Sequence, residues 1–152
     1  MQNLSKHMMD DTMKDQYLTF EVNNEDYGIE ISFVKEIIKM KKITSVPKMP
    51  DSIEGLVNLR GELIGVIDVR KRFGIPSKEH DEETCIIVII YDDHTLGMVI
   101  DRVLETVTID HRNISAPPNA KLQYANQFVR NIGKVGDSIK LLIDIDRFLT
   151  QD

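Results

Sequence analysis

The sequence predicts a mainly β protein made of two small barrels that follow one another along the chain. Short segments of alternating apolar and polar residues, separated by turn residues, indicate many short strands. The second observation is an internal repeat, in which four residues recur 69 positions later: Gly28, Ile31, Val34 and Glu36 match Gly97, Ile100, Val103 and Glu105. Such a repeat indicates a duplicated unit, and closing the sheet of each unit removes its exposed edges. We therefore predict one barrel over about residues 16–76 and a second over about 84–150.

Composition limits the functions that this chain can have. Its 152 residues suffice for one ordinary domain or two very small ones, and its net charge of −6 disfavours nucleic acid as the main partner. Cys85 is the only cysteine, so no intrachain disulfide can form, and we expect it to be a small buried hydrophobe. No apolar run approaches the length that spans a bilayer, and acidic residues interrupt the N-terminal segment. These features predict a cytoplasmic protein that does not insert into the membrane.

The first half begins with a polar, Met-rich stretch, residues 1–15, that we expect to be a disordered tail. From Tyr17 the residues alternate, and this predicts a strand with three side chains on one face: Leu18, Phe20 and Val22. A turn at 23–26 and a second strand at 27–31 follow. The stretch from Val34 to Met40 is expected to be a strand, with a short helix as the alternative, and Pro47 and Pro50 end whatever precedes them.

A hairpin and one helical turn complete the first half. We expect strands at 53–59 and 63–69 around a Gly61-Glu62 turn, because glycine tolerates a positive φ. The spacing predicts one shared face for four residues of the second strand: Leu63, Gly65, Ile67 and Val69. Asp68 can cap the start of the helical turn, and Gly74 can end it.

The second half resembles the first. A charged connector at 77–83 leads into 86–91, an apolar run predicted to be a strand buried on both faces. We then expect a turn at Asp92-Asp93, a returning strand at 95–100, and a loop from Pro117-Pro118. A last hairpin over 128–135 and 139–145, around Gly136-Asp137, precedes a helical turn at 146–149. Matches at offsets of 75 and 76 support the repeat: Gly61-Glu62 with Gly136-Asp137, Arg72-Phe73 with Arg147-Phe148, and Asp68 with Asp144.

No pattern of catalytic or ligand-binding residues stands out. The four histidines lack metal-ligand spacing, and no phosphate-binding glycine loop or nucleophile motif occurs. Asp68 and Asp144, acidic residues that match in the internal repeat, are better explained as helix caps than as a catalytic pair. We therefore predict no catalytic residues, no cofactor and no metal. Arg60, at the lip of the first hairpin, is either a solvated turn residue or the partner of a carboxylate on this chain or another.

Five short motifs in this order and spacing resemble the CheW-like domain family over about residues 17–149: Tyr27-Gly28-Ile29-Glu30-Ile31-x-x-Val34-x-Glu36-Ile37, Val46-Pro47-x-x-Pro50, Ile53-x-Gly55-Leu56-x-Asn58-Leu59-Arg60-Gly61, Ile67-Asp68-Val69-Arg70-x-x-Phe73-Gly74 and Gly97-x-x-x-Asp101-x-Val103. The resemblance implies a CheW-like domain at 16–152 with two SH3-like, five-stranded β-barrels and a C-terminal helix. It also implies a non-enzymatic adaptor, expected at membrane-attached receptor arrays, which links chemoreceptors to the chemotaxis histidine kinase. The implied partners are the cytoplasmic tip of the receptors and the regulatory domain of the kinase.

Carried over position by position, the resemblance implies five partner-binding residues around a groove between the barrels: Val34, Glu36, Ile37, Gly55 and Arg60. An apolar groove with charged rims complements the tip of a helical coiled coil. Barrel core is the alternative for Val34 and for Ile37. We also expect Arg60 and Glu36 to pair across the first barrel.

Other interpretations remain open at this point. The chain departs from some relatives at 113–120, where an arginine and an aromatic residue that help build a second kinase contact are missing, so that contact is in doubt. The chain could instead be a regulatory or coupling fragment of a larger chemotaxis protein. An unrelated small ligand-binding barrel is the alternative outside the family.

Overall fold

The computed structural model describes residues 13–117 and 127–150, and this part of the chain is mainly β. It holds eleven strands: β1 Gln16–Val22, β2 Glu25–Glu30, β3 Val34–Lys39, β4 Gly55–Leu59, β5 Glu62–Asp68, β6 Cys85–Tyr91, β7 His94–Ile100, β8 Arg102–Thr108, β9 Ile114–Ser115, β10 Val129–Val135 and β11 Ser138–Ile143. Two short α-helices, α1 Val69–Phe73 and α2 Ile145–Thr150, each follow the last strand of a half, and 3₁₀ turns lie at Ile31–Phe33 and His111–Asn113. Most of the predicted tail at 1–15, and the loop that follows Pro117, fall outside the described residues.

The strands form two sheets, and each sheet takes strands from both halves of the chain. The six-stranded sheet has the order β8-β1-β2-β11-β10-β9, and the five-stranded sheet has the order β3-β6-β7-β5-β4. The predicted mainly β fold with a C-terminal helix is confirmed. The division into barrels at 16–76 and 84–150 does not match this strand order, and one sheet has six strands where five were predicted. Strands β1 and β2 lie with the second half, and β6 and β7 lie with the first.

The exchange of strands follows the internal repeat. In each half the second strand runs parallel to the last strand of the other half, with Gly28 opposite Leu142 and Gly97 opposite Val66. A β carbon on Gly97 would lie 2.8 Å from both Ile86 Cγ2 and Val66 Cγ1. Such a contact is too close for any other residue, so the repeated glycine occurs where the two halves meet.

The exchange buries most apolar side chains in one core that both sheets share. This shared core contains Phe20 and Tyr27 from the six-stranded sheet, Ile87 and Met98 from the five-stranded sheet, and Phe73 of α1 among others. A separate small core fills the inside of the five-stranded sheet: Val57, Leu59, Ile64, Val66, Ile86, Val88 and Val99. Alternate residues of β6 enter different cores, which confirms the predicted burial of this strand on both faces.

The first hairpin differs from its prediction by one residue. Leu59 pairs with Glu62, so the turn is Arg60-Gly61 rather than Gly61-Glu62, and both turn residues have positive φ values of 51° and 89°. Ile64 and Val66 face the small core, whereas Ile67 faces the shared core and Leu63, expected on the same face as Ile67, is 64% exposed. The prediction placed glycine at the first turn position, whereas the structure places it at the second and gives the first to Arg60, which adopts a positive φ.

Several local predictions are confirmed. Residues 34–39 form a strand and not a helix. The Asp68 side chain accepts a hydrogen bond from Arg70 N, and α1 ends at Gly74 with a φ of 78°. The turns at Asp92-Asp93 and Gly136-Asp137 also form as predicted. Strand β8 was missed, because it is an edge strand whose side chains are at most half-buried and its apolar alternation is weak.

Candidate partner-binding site

The site lies where the five-stranded sheet closes on itself. Strands β3 and β4 are the two edges of this sheet. The chain that leaves β3 returns to β4 through a bridge in which Thr44 N donates to Leu56 O and Leu56 N donates to Thr44 O, both at 2.8 Å. The sheet is therefore curled around the small core into a barrel.

Gly55 permits this closure. It is buried at the start of β4, and a β carbon there would lie 2.4 Å from the carbonyl oxygen of Thr44 and 2.7 Å from Ile43 Cγ2. Backbone cannot move aside as a flexible side chain can, so the bridge requires glycine at this position. Among the five predicted site residues, Gly55 thus lies beneath the surface.

Glu36 and Arg60 join the two edges of the sheet above the bridge. Arg60 Nη1 donates to Glu36 Oε1 at 3.2 Å, and Arg60 Nη2 also donates to Glu36 Oε2, so the pair is bidentate. The Arg60 side chain is 64% exposed, whereas that of Glu36 is 27% exposed. The predicted pairing of these two residues is confirmed. Exposed pairs contribute little to stability, so the geometry of this pair matters more than its energy.

The pair also fixes the charge of Glu36. The hydrogen bonds and positive charge of Arg60 hold the pKa of the Glu36 carboxyl below its ordinary value. Glu36 is therefore ionised at neutral pH, and the rim presents a held carboxylate beside an exposed guanidinium. The guanidinium has five N–H donors, and Glu36 does not use all of them.

Val34 and Ile37 lie on the other face of β3. Val34 is in register with Ile89, and Ile37 is in register with Ile87, so both share the face that covers the shared core. Val34 is half-buried and packs against that core, as the alternative interpretation expected. Ile37, however, is 42% exposed at the sheet edge. The edge thus offers an apolar residue on one face and a charged pair on the other.

Two features near the site were missed by the sequence prediction. The Asn58 side chain accepts a hydrogen bond from Gly61 N at 2.8 Å and so closes the turn that carries Arg60. Leu63, two residues after that turn, adds an exposed apolar side chain. The signal for Asn58 was present, since asparagine commonly bonds to backbone groups in turns.

A second ion pair holds the two halves of the chain together. Arg70 of α1 donates to both carboxylate oxygens of Asp101, at 2.8 and 2.7 Å, and Asn23 N donates to the same carboxylate at 2.9 Å. Burial alone would raise the pKa of the Asp101 carboxyl, but these hydrogen bonds lower it below its ordinary value. Arg70 and Asp101 are nearly buried, which indicates a structural role rather than a partner contact.

Residues suited to catalysis or metal binding do not come together in the described part of the chain. No group of three His, Cys, Asp or Glu side chains there could hold a metal ion. Cys85 is buried, and burial raises the pKa of its thiol, which disfavours the reactive thiolate. Within residues 13–117 and 127–150, no helix is long and apolar enough to cross a membrane.

Comparison with known proteins gives consistent matches. The model of the CheW-like domain matches residues 16–152. The chemotaxis protein CheW of Klebsiella aerogenes is 30% identical over 142 residues, which cover 93% of this chain and 86% of that protein. The chemotaxis protein CheW of Bacillus subtilis is 32% identical over 138 residues, covering 91% and 88%.

A solved structure agrees with the fold. The crystal structure of the scaffolding protein TtCheW from Thermoanaerobacter tengcongensis superposes with a TM-score of 0.81 at 33% identity. The match covers 91% of this chain and 94% of that one. The likeness to a solved scaffolding protein thus extends over nearly the whole length of this chain, including both sheets.

Proposed function

This chain belongs to the CheW-like domain family and is a chemotaxis coupling adaptor, and from that premise we propose that it links the cytoplasmic tip of chemoreceptors to the regulatory domain of the chemotaxis histidine kinase. It acts by binding alone, without turnover, at membrane-attached receptor arrays in the cytoplasm. The family match over residues 16–152 makes an unrelated ligand-binding barrel the weaker alternative.

The bidentate pair of Arg60 and Glu36 is the observation that supports the receptor contact. It holds the Arg60 side chain, which is 64% exposed, at the rim of the barrel, and the guanidinium keeps N–H donors that Glu36 does not use. Ile37 supplies an exposed apolar contact on the same edge strand. A coiled-coil tip presents an apolar stripe with charged borders, and this edge complements it in both respects. Val34 supports Ile37 from the shared core, and Gly55 acts through the bridge that closes the barrel.

Titration of a receptor-tip fragment and of the kinase regulatory domain tests the proposal. The wild-type chain should bind both partners. Arg60→Ala should weaken tip binding clearly and leave kinase binding unchanged, because the side chain lies at one rim and carries little of the fold. Glu105→Ala, at the position that the repeat relates to Glu36, removes a charge from the corresponding edge of the other sheet and is the control, which should bind both partners as wild type does. Equal losses for both partners in Arg60→Ala would mean that Arg60 only supports the fold.

For the kinase we propose an apolar contact at one barrel rim. Leu63 and Ile139, each two residues after a hairpin turn, are 64% and 50% exposed and occupy corresponding positions of the repeat. In chemical-shift mapping, the regulatory domain should perturb the resonances of one sheet far more than those of the other. Leu63→Ser and Ile139→Ser form a matched pair, of which one should weaken kinase binding and the other should not. Uniform small chemical-shift changes over both sheets would contradict this contact.

A further inference from the structure

The described part of the chain contains four hairpins with two-residue turns, and one of them breaks a rule that the others keep. The turns are Asn23-Asn24, Arg60-Gly61, Asp92-Asp93 and Gly136-Asp137. Asparagine, aspartate and glycine are the residues that tolerate the positive φ values such turns require. Seven of these eight turn residues have a positive φ, and Arg60, at 51°, is the exception among the seven.

The left-handed backbone is unfavourable for arginine. The β carbon of an ordinary L-residue comes too close to the following carbonyl oxygen, and arginine lacks the short polar side chain that offsets this in asparagine and aspartate. Asn-Gly would be the preferred turn at this place. A residue that disfavours its own local structure points to a role beyond the turn itself, and the bidentate contact with Glu36 on β3 is that role.

The turn needs another residue to hold it, and Asn58 meets this need. Its side-chain oxygen lies 2.8 Å from Gly61 N, the backbone donor directly after Arg60. Asn58 is exposed in β4, opposite Leu63, and its side chain is not part of either core. Its bond therefore acts on the turn and not on the packing of the barrel.

We propose that Asn58 is a positioning residue for partner binding: it closes the turn that keeps Arg60 in a left-handed conformation, from which the guanidinium reaches Glu36. This inference rests on the proposed receptor contact, because Asn58 acts through Arg60. The turn is thus built for the site at a cost in local backbone preference.

Two substitutions of Arg60 test the backbone part of the proposal. Arg60→Asn and Arg60→Ala both remove the guanidinium, but asparagine tolerates a positive φ and alanine does not. Both should lose tip binding to the same extent. Arg60→Asn should melt above Arg60→Ala by about 2–4 °C, the shift that roughly 1 kcal/mol gives in a domain of this size. Equal melting temperatures would show that the turn is not strained by Arg60.

Two substitutions of Asn58 test its positioning role. Asn58→Ala removes the acceptor, so the NMR-measured pKa of the Glu36 carboxyl should rise toward its ordinary value. Tip binding should weaken by about 2- to 10-fold, the change that follows from the loss of one net hydrogen bond. Asn58→Asp keeps an oxygen at the same place and should restore both readouts. Kinase binding should stay unchanged in both variants.

The readouts separate this inference from the function on which it rests. An unchanged Glu36 pKa in Asn58→Ala overturns the positioning role, whatever happens to tip binding. A risen pKa with wild-type tip binding would show that Asn58 holds the pair but that the pair does not serve the receptor contact, which overturns the proposal as stated. If the wild-type chain fails to bind the tip at all, the proposed function is wrong, while the Glu36 titration still decides what Asn58 does to the turn.

Discussion

The edge of the five-stranded sheet at β3 and the edge of the six-stranded sheet at β8 are related by the internal repeat, yet they present different chemistry. On β3, Glu36 is held by Arg60 and the next residue is the exposed Ile37. On β8, the corresponding residues are Glu105 and Thr106. The corresponding hairpin turn, between β10 and β11, has Gly136 where the first has Arg60, so no cationic side chain stands at that position to pair with Glu105.

The difference shows that the repeat preserves the scaffold and not the surface. Both edges carry an irregularity at the same place, between Val34 and Glu36 in one and opposite Thr19 in the other. The hydroxyl of Thr19, on the neighbouring β1, donates to Glu105 O of β8 at 2.6 Å and accepts from Glu105 N at 3.0 Å, so a buried side chain satisfies the backbone there. Duplication therefore supplied two similar rims, and we propose that side-chain changes made one of them a receptor site.

Exchanging the charges of the Glu36–Arg60 pair should have the largest effect on tip binding at the first rim. Glu36→Arg combined with Arg60→Glu keeps an ion pair at the rim but reverses its polarity toward a partner. Tip binding should fall by more than about tenfold, because like charges placed opposite one another are strongly unfavourable in an interface. Thermal melting should show part of the stability of either single variant restored. Tip affinity equal to wild type would mean that the receptor does not sense the orientation of the pair.

Disrupting the bridge between Thr44 and Leu56, which closes the five-stranded sheet, should have the next largest effect on tip binding. Gly55→Ala places a β carbon against the Thr44 carbonyl, and overpacking of this kind costs about 1–3 kcal/mol. The melting temperature and tip binding should therefore both fall. The matched control is Asn131→Ala, at the repeat-related position of β10, where a β carbon is already accommodated. Wild-type melting of Gly55→Ala would contradict the requirement for glycine at the bridge.

Introducing an arginine into the second hairpin turn tests whether an Arg–Glu pair alone is sufficient for tip binding. Gly136→Arg places an arginine where φ is 59°, so we expect a loss of about 1–2 kcal/mol in the free energy of unfolding. In an Arg60→Ala background it should not restore tip binding, because Thr106 stands where the first rim has Ile37. Recovery of tip binding, measured by titration, would show that an Arg–Glu pair is sufficient without the apolar neighbour.

The smallest effect should come from pH. A carboxyl whose pKa is lowered in the folded state stabilises that state above its ordinary pKa, and the contribution is lost as pH falls through the lowered value. The pair should thus stay intact at pH 7 and pH 5, and tip affinity should be the same at both. Glu36→Gln removes the titrating group and is the control. A loss of affinity between pH 7 and 5 that Glu36→Gln abolishes would contradict the lowered pKa of Glu36.

Local structure could largely be predicted from the sequence. Alternation placed β1, a continuous apolar run placed β6, and turn residues placed the hairpins at Asp92-Asp93 and Gly136-Asp137. The caps of α1 at Asp68 and Gly74 follow from residue types alone. The pairing of Glu36 with Arg60 came from the family resemblance, since 24 residues separate them and no local pattern joins them.

Only the tertiary structure decided which strands lie beside one another. Alternation specifies which face of a strand is buried but not which strand is its neighbour. By that criterion β1 could have paired with β5, whereas in the structure it pairs with β8. Local pattern also could not decide the first hairpin turn, because glycine suits either central position and so allows both Arg60-Gly61 and Gly61-Glu62. Strand exchange, the closed edge at Thr44 and the rim that holds Arg60 all depend on contacts between distant residues. The periodicity of the sequence determined the elements, and long-range packing determined the site.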